Sequence, residues 1–232
     1  MRDVDDGCSP LAVLFDLDGT LLDTARDLAG ALNSLRAAHG LVALPFTAIR
    51  PLITHGSAAL IRIGFELATD DPRFEPLRLQ FLTEYRARIA AETCPFEGIP
   101  ALLDWLRTQR MQWGIVTNKP AWLTGPLVAQ RPFTPPPACV ISGDTLPVQK
   151  PDPAPLLYAA QTLGVAAKDC LYIGDAARDV EAGRRAGMRT LVACYGYLSD
   201  TDKPETWGAD GLLNAPLDLR AWLQRQWQTF AG

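Results

Sequence analysis

The sequence predicts an α/β protein with a doubly wound parallel sheet as its core and an inserted helical cap domain. An apolar run at residues 12–15 has the composition of a buried strand and ends abruptly in polar residues. Residues 22–92 show only helical periodicity, and further on helices and strands alternate, which favours a parallel sheet with right-handed crossovers. We therefore expect a core of residues 1–21 and 93–232 and a cap of residues 22–92.

Three helices are predicted in the cap, because apolar residues recur there three and four positions apart. They run from Thr24 to Gly40, over 57–69 behind a Ser57 cap, and over 72–92. The residues 53–57 between the first two helices are expected to form a short polar loop.

Further strands and helices are predicted in the core from apolar runs bounded by turn residues. The predicted strands cover residues 113–116, 138–141, 170–173, 190–194 and 210–213. The predicted helices cover 99–110, the stretch after Pro120, the stretch from Lys150 to Gly164, the stretch up to Gly187, and 217–230. The proline-rich segment 131–137 is expected to be a stiff surface connection.

Composition narrows the class of protein. Hydrophobic residues make up 48% of the 232 residues and charged residues 21%, as in ordinary globular proteins. The net charge of −4 offers no basic surface for nucleic acid, and no apolar run approaches the roughly 20 residues that cross a bilayer. The polar N-terminus is unlike a secretory signal. The five cysteines are widely spaced, which favours reduced thiols in a cytoplasmic protein: Cys8, Cys94, Cys139, Cys170 and Cys194.

Polar side chains directly follow the predicted strands. Carboxyl ends of parallel strands share one edge, where ligands bind. Taken singly, each of these residues could be a turn, a helix cap or a solvated charge. Together they predict one cleft, formed by Asp16, Asp18, Thr117, Asn118, Lys150, Asp175 and Asp179.

The charges in this cleft predict a metal ion. Asp16, Asp18, Asp175 and Asp179 would bring four carboxylates together, with Lys150 as the only cation that the pattern places among them. Four carboxylates cannot all stay ionised there without help. A hard divalent cation such as Mg²⁺ provides it, since carboxylate oxygens are its preferred ligands.

A set of donors for a tetrahedral anion is predicted beside the metal. Thr117, Asn118 and Lys150 supply a hydroxyl, an amide and an ammonium group. A carboxylate nucleophile beside Mg²⁺ and such donors indicates phosphoryl transfer through an aspartyl-phosphate. The sequence contains neither a P-loop motif nor a dinucleotide-binding glycine motif.

Four motifs in order carry a resemblance to a known family. They are DLDGT at 16–20, Thr117, Lys150 and GDAARD at 174–179. With them the sequence resembles phosphatases of the haloacid dehalogenase superfamily, in the subgroup with a helical cap after the first strand. The resemblance extends from Leu11 to Leu219. It implies a Rossmann-like sheet and a mobile cap that closes over the substrate.

The resemblance also implies roles for the acidic residues. Asp16 would be the nucleophile, and Asp18 would protonate the leaving oxygen and then activate water. Asp16, the backbone carbonyl of Asp18 and Asp175 would hold Mg²⁺, with Asp179 bracing the site from the second shell.

Further roles are implied for substrate binding. Thr117, Asn118 and Lys150 would bind the phosphoryl oxygens, and Lys150 would also offset charge on the nucleophile. The segment containing His55 and Gly56 resembles the substrate-specificity loop of the family.

Short sequence segments resemble two groups of phosphatases. Segments 116–120, 143–157 and 164–175 resemble phosphoglycolate phosphatases, whereas 113–120, 69–86 and 203–210 resemble bacterial N-acetylmuramic acid 6-phosphate phosphatases. The expected reaction is hydrolysis of a small phosphorylated metabolite, 2-phosphoglycolate first, with the amino-sugar phosphate as the alternative. For 2-phosphoglycolate the cap would have to supply a partner for the substrate carboxylate. Arg50 and Arg62 are the cap cations to test for that role, and a solvated surface charge is the alternative for each.

Other functions remain open from the sequence. A phosphomutase would share these residues. A haloacid dehalogenase does not need Asp18, because its reaction has no leaving oxygen to protonate. A family member that has lost catalysis would not need every motif residue, and all of them are present here. The pattern leaves both a monomer and a homodimer open.

Overall fold

A six-stranded parallel sheet forms the core of the computed structural model, which describes residues 11–229 and the side chains of residues 11–226. In spatial order the strands are β5 (Cys139–Ile141), β4 (Gln112–Val116), β1 (Ala12–Phe15), β6 (Cys170–Gly174), β7 (Arg189–Ala193) and β8 (Gly211–Leu213). The predicted α/β fold is confirmed.

The chain reverses its direction of winding at β1. Strands β4 and β5 lie on one side of β1, and β6, β7 and β8 lie on the other. Phe15 pairs with Ile115 and with Ile173, so the residues after these three strands emerge at one edge. This is the switch point at which open α/β sheets bind ligands.

Helices cover both faces of the sheet. They are α5 (Ile99–Thr108), α6 (Ala121–Gln130), α7 (Ala154–Leu163), α8 (Ala177–Arg185) and α9 (Asp218–Thr229). Alternate residues of β1 face opposite layers, as strand geometry requires. Val13 and Phe15 join the cluster that contains residues of α5 and α9, whereas Ala12 and Leu14 join the cluster that contains residues of α7. The apolar runs of these strands are continuous because both faces are buried.

The helical insert leaves and re-enters the core at one place. Its helices are α1 (Ala25–Ala38), α2 (Phe46–Ile49), α3 (Gly56–Phe65) and α4 (Phe74–Ala87). They lie between two short strands, β2 (Leu22–Asp23) and β3 (Cys94–Pro95), which pair antiparallel. The expectation of an insert without strands was wrong at β2, because a pairing of two residues leaves no periodicity to detect.

A buried carboxylate fastens the returning linker. Asp27 accepts hydrogen bonds from Glu92 N at 3.0 Å, from Thr93 N at 2.9 Å and from Thr93 Oγ1 at 2.7 Å. On the core side, Arg131 donates to Ala90 O and Thr93 O. The linker is therefore held from both sides by charge-assisted hydrogen bonds.

Several predicted boundaries were wrong. The predicted polar loop 53–57 overlaps a 3₁₀ helix that covers residues 50–55. Helix α3 begins at Gly56, and no side chain caps it, although Ser57 was the predicted cap. Helix α3 stops at Phe65 because Glu66 adopts a left-handed conformation with φ of 54°, and α4 is shorter than the predicted 72–92. The predicted end of the final helix, Phe230, lies outside the described residues.

The proline-rich segment is not wholly a surface connection. Its Phe133 is buried, and the ring packs edge-on against Trp113 with centroids 5.4 Å apart. Aromatic pairing of this kind anchors the segment to the sheet layer.

Two cysteines are buried thiols. Burial raises the pKa of Cys139 and of Cys170 to about 11, so both stay protonated at neutral pH. Cys94 and Cys194 are also unpaired, and Cys8 lies outside the described residues. Among residues 11–229, no helix has the length and apolar character needed to cross a membrane.

Candidate active site

Four strand-end segments converge on one buried polar site. Asp16 follows β1, Thr117 follows β4, Asp175 follows β6, and Lys150 lies in the loop beyond β5. Each of these side chains is buried. The structure thus brings the polar residues of four separate segments to the predicted sheet edge.

Lys150 forms the centre of the site's hydrogen bonds. Its Nζ lies 2.8 Å from Asp179 Oδ1 and 3.1 Å from Asp16 Oδ1, and it contacts Tyr172 Oη at 2.7 Å and Val116 O at 3.0 Å. The side chain is only 1% exposed. Its charge is therefore committed to Asp16 and Asp179, which offsets the cost of burying those carboxylates.

Asp179 is held at both oxygens. Oδ1 contacts Lys150, and Oδ2 accepts a hydrogen bond from Ala176 N at 3.1 Å. Burial works to raise the pKa of Asp179, but Lys150 and Arg178 outweigh it and the pKa is lowered. The backbone of Gly174 approaches so closely that a Cβ there would meet the carboxylate at about 2.5 Å. These contacts favour the charged form of Asp179 and fix the carboxylate in place.

Asp175 keeps one oxygen without a partner. Oδ2 accepts a hydrogen bond from Tyr197 N at 3.0 Å, whereas the buried Oδ1 has no hydrogen-bond partner among the described residues. Burial, reinforced by Asp16 and Asp179, raises the pKa of Asp175 to about 8. A buried, unpartnered carboxylate oxygen is costly unless a cation is bound to it.

The acidic cluster fits a hard metal ion. Asp16, Asp175 and Asp179 each offer an oxygen, and these atoms lie within 4.8 Å of one another. Burial also raises the pKa of Asp16, although Lys150 opposes the effect. Nearby carboxylates that resist ionisation need positive charge, and an all-oxygen donor set with the free Asp175 Oδ1 suits a hard divalent cation.

Asp18 faces a lysine that the sequence did not single out. Its carboxylate lies 2.7 and 2.8 Å from Lys119 Nζ, and Thr24 Oγ1 donates to it at 2.6 Å. Lys119 is 6% exposed at its side chain and lies 4.7 Å from the ring centroid of Tyr85 on α4. Burial would lower the pKa of Lys119, but Asp18 and Tyr85 outweigh it and the pKa is raised. Its position two residues after Thr117, in a strand-end loop, was the available signal.

Arg178 adds a third cation. Burial would lower the pKa of Arg178, but Asp179, Asp16 and Asp175 outweigh burial and raise it. Lys150, the only cation that the sequence pattern placed among the carboxylates, is therefore joined there by Lys119 and Arg178. Sequence spacing cannot show which way a helical arginine points, and the first turn of α8 directs this one toward the cleft.

Thr117 and Asn118 order the loops around the site. Asn118 Nδ2 donates to Lys150 O at 3.0 Å, and its Oδ1 accepts from Lys150 N at 3.1 Å. Thr117 Oγ1 accepts a hydrogen bond from Lys119 N at 3.2 Å. The phosphate contacts of both residues stay predictions, and in this structure the Asn118 amide already joins two loops.

A cleft of about 660 Å³ opens above the site, between the core and the insert. Asp16 and Asp18 line its floor, and His55 and Gly56 line the insert side. Gly56 has φ of 79° and ψ of −176°, a conformation that favours glycine. The structure therefore places the predicted specificity segment at the same cleft as the carboxylates.

The two arginines suggested for a substrate carboxylate are not among the cleft-lining residues that the structure describes. Arg50 packs over the ring of Tyr197 at 5.1 Å, and Arg62 is exposed. Arg78 of α4 lines the cleft instead. The sequence could not make this choice, because all three residues are surface-type cations on helical segments.

Comparison with known proteins identifies the family. The family model of haloacid dehalogenase-like hydrolases matches residues 13–193, most of the chain. The chain belongs to this family. That assignment confirms the family predicted from the four motifs.

Two curated relatives are almost equally similar to this chain. The N-acetylmuramic acid 6-phosphate phosphatase of Pseudomonas aeruginosa is 40% identical over 90% of this chain and 92% of its own length. The phosphoglycolate phosphatase of Xylella fastidiosa is 41% identical over 93% and 94%. Both are phosphatases, which confirms the predicted class of enzyme, a phosphoric monoester hydrolase.

A solved structure supports the fold. The putative phosphoglycolate phosphatase of Lactobacillus delbrueckii superimposes with a TM-score of 0.82 at 22% identity, covering 93% of this chain and 99% of the other. At that identity the likeness shows the shared fold alone.

Proposed function

We propose that this protein is a Mg²⁺-dependent phosphatase that hydrolyses a small phosphomonoester through an aspartyl-phosphate on Asp16. The observation that carries the proposal is the buried pair of Asp16 and Lys150, 3.1 Å apart, beside Asp175 with its unpartnered oxygen. Such a site offers a nucleophile, a fixed cation and a free metal ligand within one cleft.

Asp16 and Asp18 carry out the covalent chemistry. An oxygen of Asp16 attacks phosphorus, the ester P–O bond breaks, and Asp18 gives its proton to the leaving oxygen. Asp18 then takes a proton from water as that water attacks the phosphoryl group. The bond between phosphorus and Asp16 breaks, which releases inorganic phosphate, restores the Asp16 carboxylate and leaves Asp18 protonated as at the start.

The metal site supports this transfer. Asp16, Asp175 and the backbone carbonyl of Asp18 would hold Mg²⁺, with Asp179 behind them on Lys150. When bound, the metal would neutralise charge on the nucleophile and on the phosphoryl oxygens. Asp175 is prepared for this role because its Oδ2 is already held by Tyr197 N.

The remaining cleft residues position the phosphate. Lys150 and the Thr117–Asn118 segment would bind phosphoryl oxygens. The insert, residues 22–92, would act as a cap that excludes water and carries the specificity segment with His55 and Gly56. The buried thiols of Cys139 and Cys170 support a reducing, cytoplasmic location.

Two substrates are candidates. 2-Phosphoglycolate and N-acetylmuramic acid 6-phosphate both carry a carboxylate and a phosphate, and relatives of about 40% identity are named for each. The sequence segments that resemble phosphoglycolate phosphatases favour 2-phosphoglycolate. The volume of the cleft, about 660 Å³, favours the larger amino-sugar phosphate, because pockets of roughly 300–1,000 Å³ suit drug-sized ligands.

Phosphate release from both substrates tests the proposal. Each would be assayed with MgCl₂ and with EDTA, and kcat/KM compared. We expect turnover that requires Mg²⁺ and a preference of about a hundredfold for one substrate. Release that is equal in EDTA, or absent with both substrates and with p-nitrophenyl phosphate, would refute the proposed chemistry.

A further inference from the structure

One face of α4 forms a wall of the cleft. Phe74, Arg78, Phe81, Leu82 and Tyr85 recur three or four residues apart, and all of them line the cleft. The last of them, Tyr85, lies over the ammonium group that contacts Asp18. The C-terminal end of this face is therefore the catalytic end.

Arg78 lies far from the catalytic end of the same face. It precedes Tyr85 by seven residues, or two helical turns, which places its Cα roughly 10 Å further along the helix axis. Helical side chains lean toward the N-terminus. Accordingly the guanidinium donates to Glu75, at 2.8 Å from Nε and 2.6 Å from Nη2, and lies 3.4 Å from Ser57 Oγ. Its positive charge is thus remote from Asp18.

The Arg78 guanidinium can exchange its partner at little cost. The Glu75 side chain is 57% exposed, and exposed ion pairs contribute little to stability. Lys119 and Arg178 also line the cleft, but both are engaged by the catalytic carboxylates. Among the cleft-lining cations that the structure describes, Arg78 is the one whose acidic partner lies outside the catalytic site.

An apolar platform lies at the same cleft. Trp122 at the start of α6 is 45% exposed, and Leu79 of α4 is 53% exposed, and both line the cleft. Exposed apolar side chains at a cleft are typical of a ligand-binding surface. They offer a sugar ring an apolar surface in the same cleft as Arg78.

We propose that Arg78 binds the carboxylate of a substrate whose acidic group lies far from its phosphate. This inference rests on the proposed phosphatase function. In 2-phosphoglycolate three bonds separate phosphorus from the carboxylate carbon, a reach of about 4 Å, whereas eight bonds in N-acetylmuramic acid 6-phosphate reach about 10 Å. The position of Arg78 selects the second class, an amino-sugar phosphate with an acidic side arm.

Three substrates and one variant isolate this contact. N-Acetylglucosamine 6-phosphate lacks the lactyl ether that carries the carboxylate of N-acetylmuramic acid 6-phosphate, and it has a free hydroxyl group in its place. For Arg78→Gln we expect kcat/KM to fall roughly ten- to a hundredfold with the muramic acid substrate, the range for losing a charged hydrogen bond. With N-acetylglucosamine 6-phosphate and with 2-phosphoglycolate it should change less than about twofold.

Two further variants separate binding from folding. Arg73→Gln removes a similar exposed pair, between Arg73 and Asp71, outside the cleft lining and should leave all three rates unchanged. Glu75→Gln frees Arg78 from its acidic partner and should lower KM for the muramic acid substrate, which a merely structural role would not do.

Clear outcomes would overturn the inference. An equal loss with all three substrates would make Arg78 a structural residue, and no loss with the muramic acid substrate would place its carboxylate elsewhere. A wild-type enzyme that hydrolyses 2-phosphoglycolate but neither sugar phosphate would also overturn it, while leaving the phosphatase chemistry intact. Failure of every substrate would refute the proposed function itself.

Discussion

Replacing Asp175 with asparagine should stabilise the metal-free protein. The carboxyl group is 1% exposed, and burial beside Asp16 and Asp179 raises its pKa from the usual 3.8 to about 8. The folded state therefore binds this proton more tightly than the unfolded state. The resulting stability is fully present below about pH 4 and is lost as the pH rises toward 8.

The pKa values set the size of the effect. The difference between 3.8 and about 8 corresponds to an upper limit of roughly 5 kcal/mol at pH 8. Asparagine avoids that cost and can still accept the hydrogen bond from Tyr197 N. Part of the gain is lost because Arg178 loses one of its compensating carboxylates. We expect about 2 kcal/mol to remain, which raises Tm by about 4–8 °C in a chain of this length.

Thermal unfolding in EDTA at pH 5 and pH 8 measures this prediction. Asp175→Asn should unfold at a higher temperature than wild type at pH 8, with a smaller difference at pH 5. MgCl₂ should raise the Tm of wild type and not that of the variant. Asp104→Asn, which changes a carboxylate that is 62% exposed, is the matched control. A variant that is less stable than wild type at pH 8, or a gain independent of pH, would refute this electrostatic reasoning.

Three other substitutions test the site and the insert. Asp16→Asn keeps the shape of the nucleophile but removes its charge, so the rate of phosphate release should fall at least about 10³-fold. The circular dichroism spectrum should stay that of wild type, which shows that the fold is intact. Steady turnover by a pure preparation would refute covalent catalysis at this residue. Lys119→Met removes the ammonium group that orients Asp18, so kcat should fall about ten- to a hundredfold. Lys119→Arg restores a positive charge and should recover part of that loss. An unchanged kcat in Lys119→Met would show that Lys119 does not position Asp18. Phe81→Ala leaves a cavity among the helices of the insert and should lower the free energy of unfolding, measured in urea, by about 3–5 kcal/mol. A decrease below about 1 kcal/mol would show that the insert repacks freely.

The core sheet was predictable because its signals are local. Buried parallel strands require continuous apolar runs, and the run at Ala12–Phe15 shows this directly. Residues that follow such strands must emerge at one edge, so the order of residues along the chain is enough to group Asp16, Thr117 and Asp175. No comparable signal marks the pairing of Leu22–Asp23 with Cys94–Pro95, since two residues show no period.

The insert was less predictable in its details. Residues 50–55 form a 3₁₀ helix that has no strong sequence signature, and α3 begins without a side-chain cap. In such short helices the packing of apolar side chains decides the boundaries more than intrinsic propensity does.

The sequence by itself determined the α/β fold and predicted the acidic residues that the structure groups at the sheet edge, because motif spacing and apolar runs are properties of neighbouring positions. Only the tertiary structure decided which cations meet those carboxylates. Lys119, which meets Asp18, and Arg178, which lies beside the acidic cluster, come from separate segments, and their directions depend on how those segments pack. The same packing turns Arg78 toward the cleft at a distance from these carboxylates. The unpartnered oxygen of Asp175 is likewise visible only when every neighbouring donor has been placed. Long-range electrostatics follows from packing, so it cannot be read from local spacing.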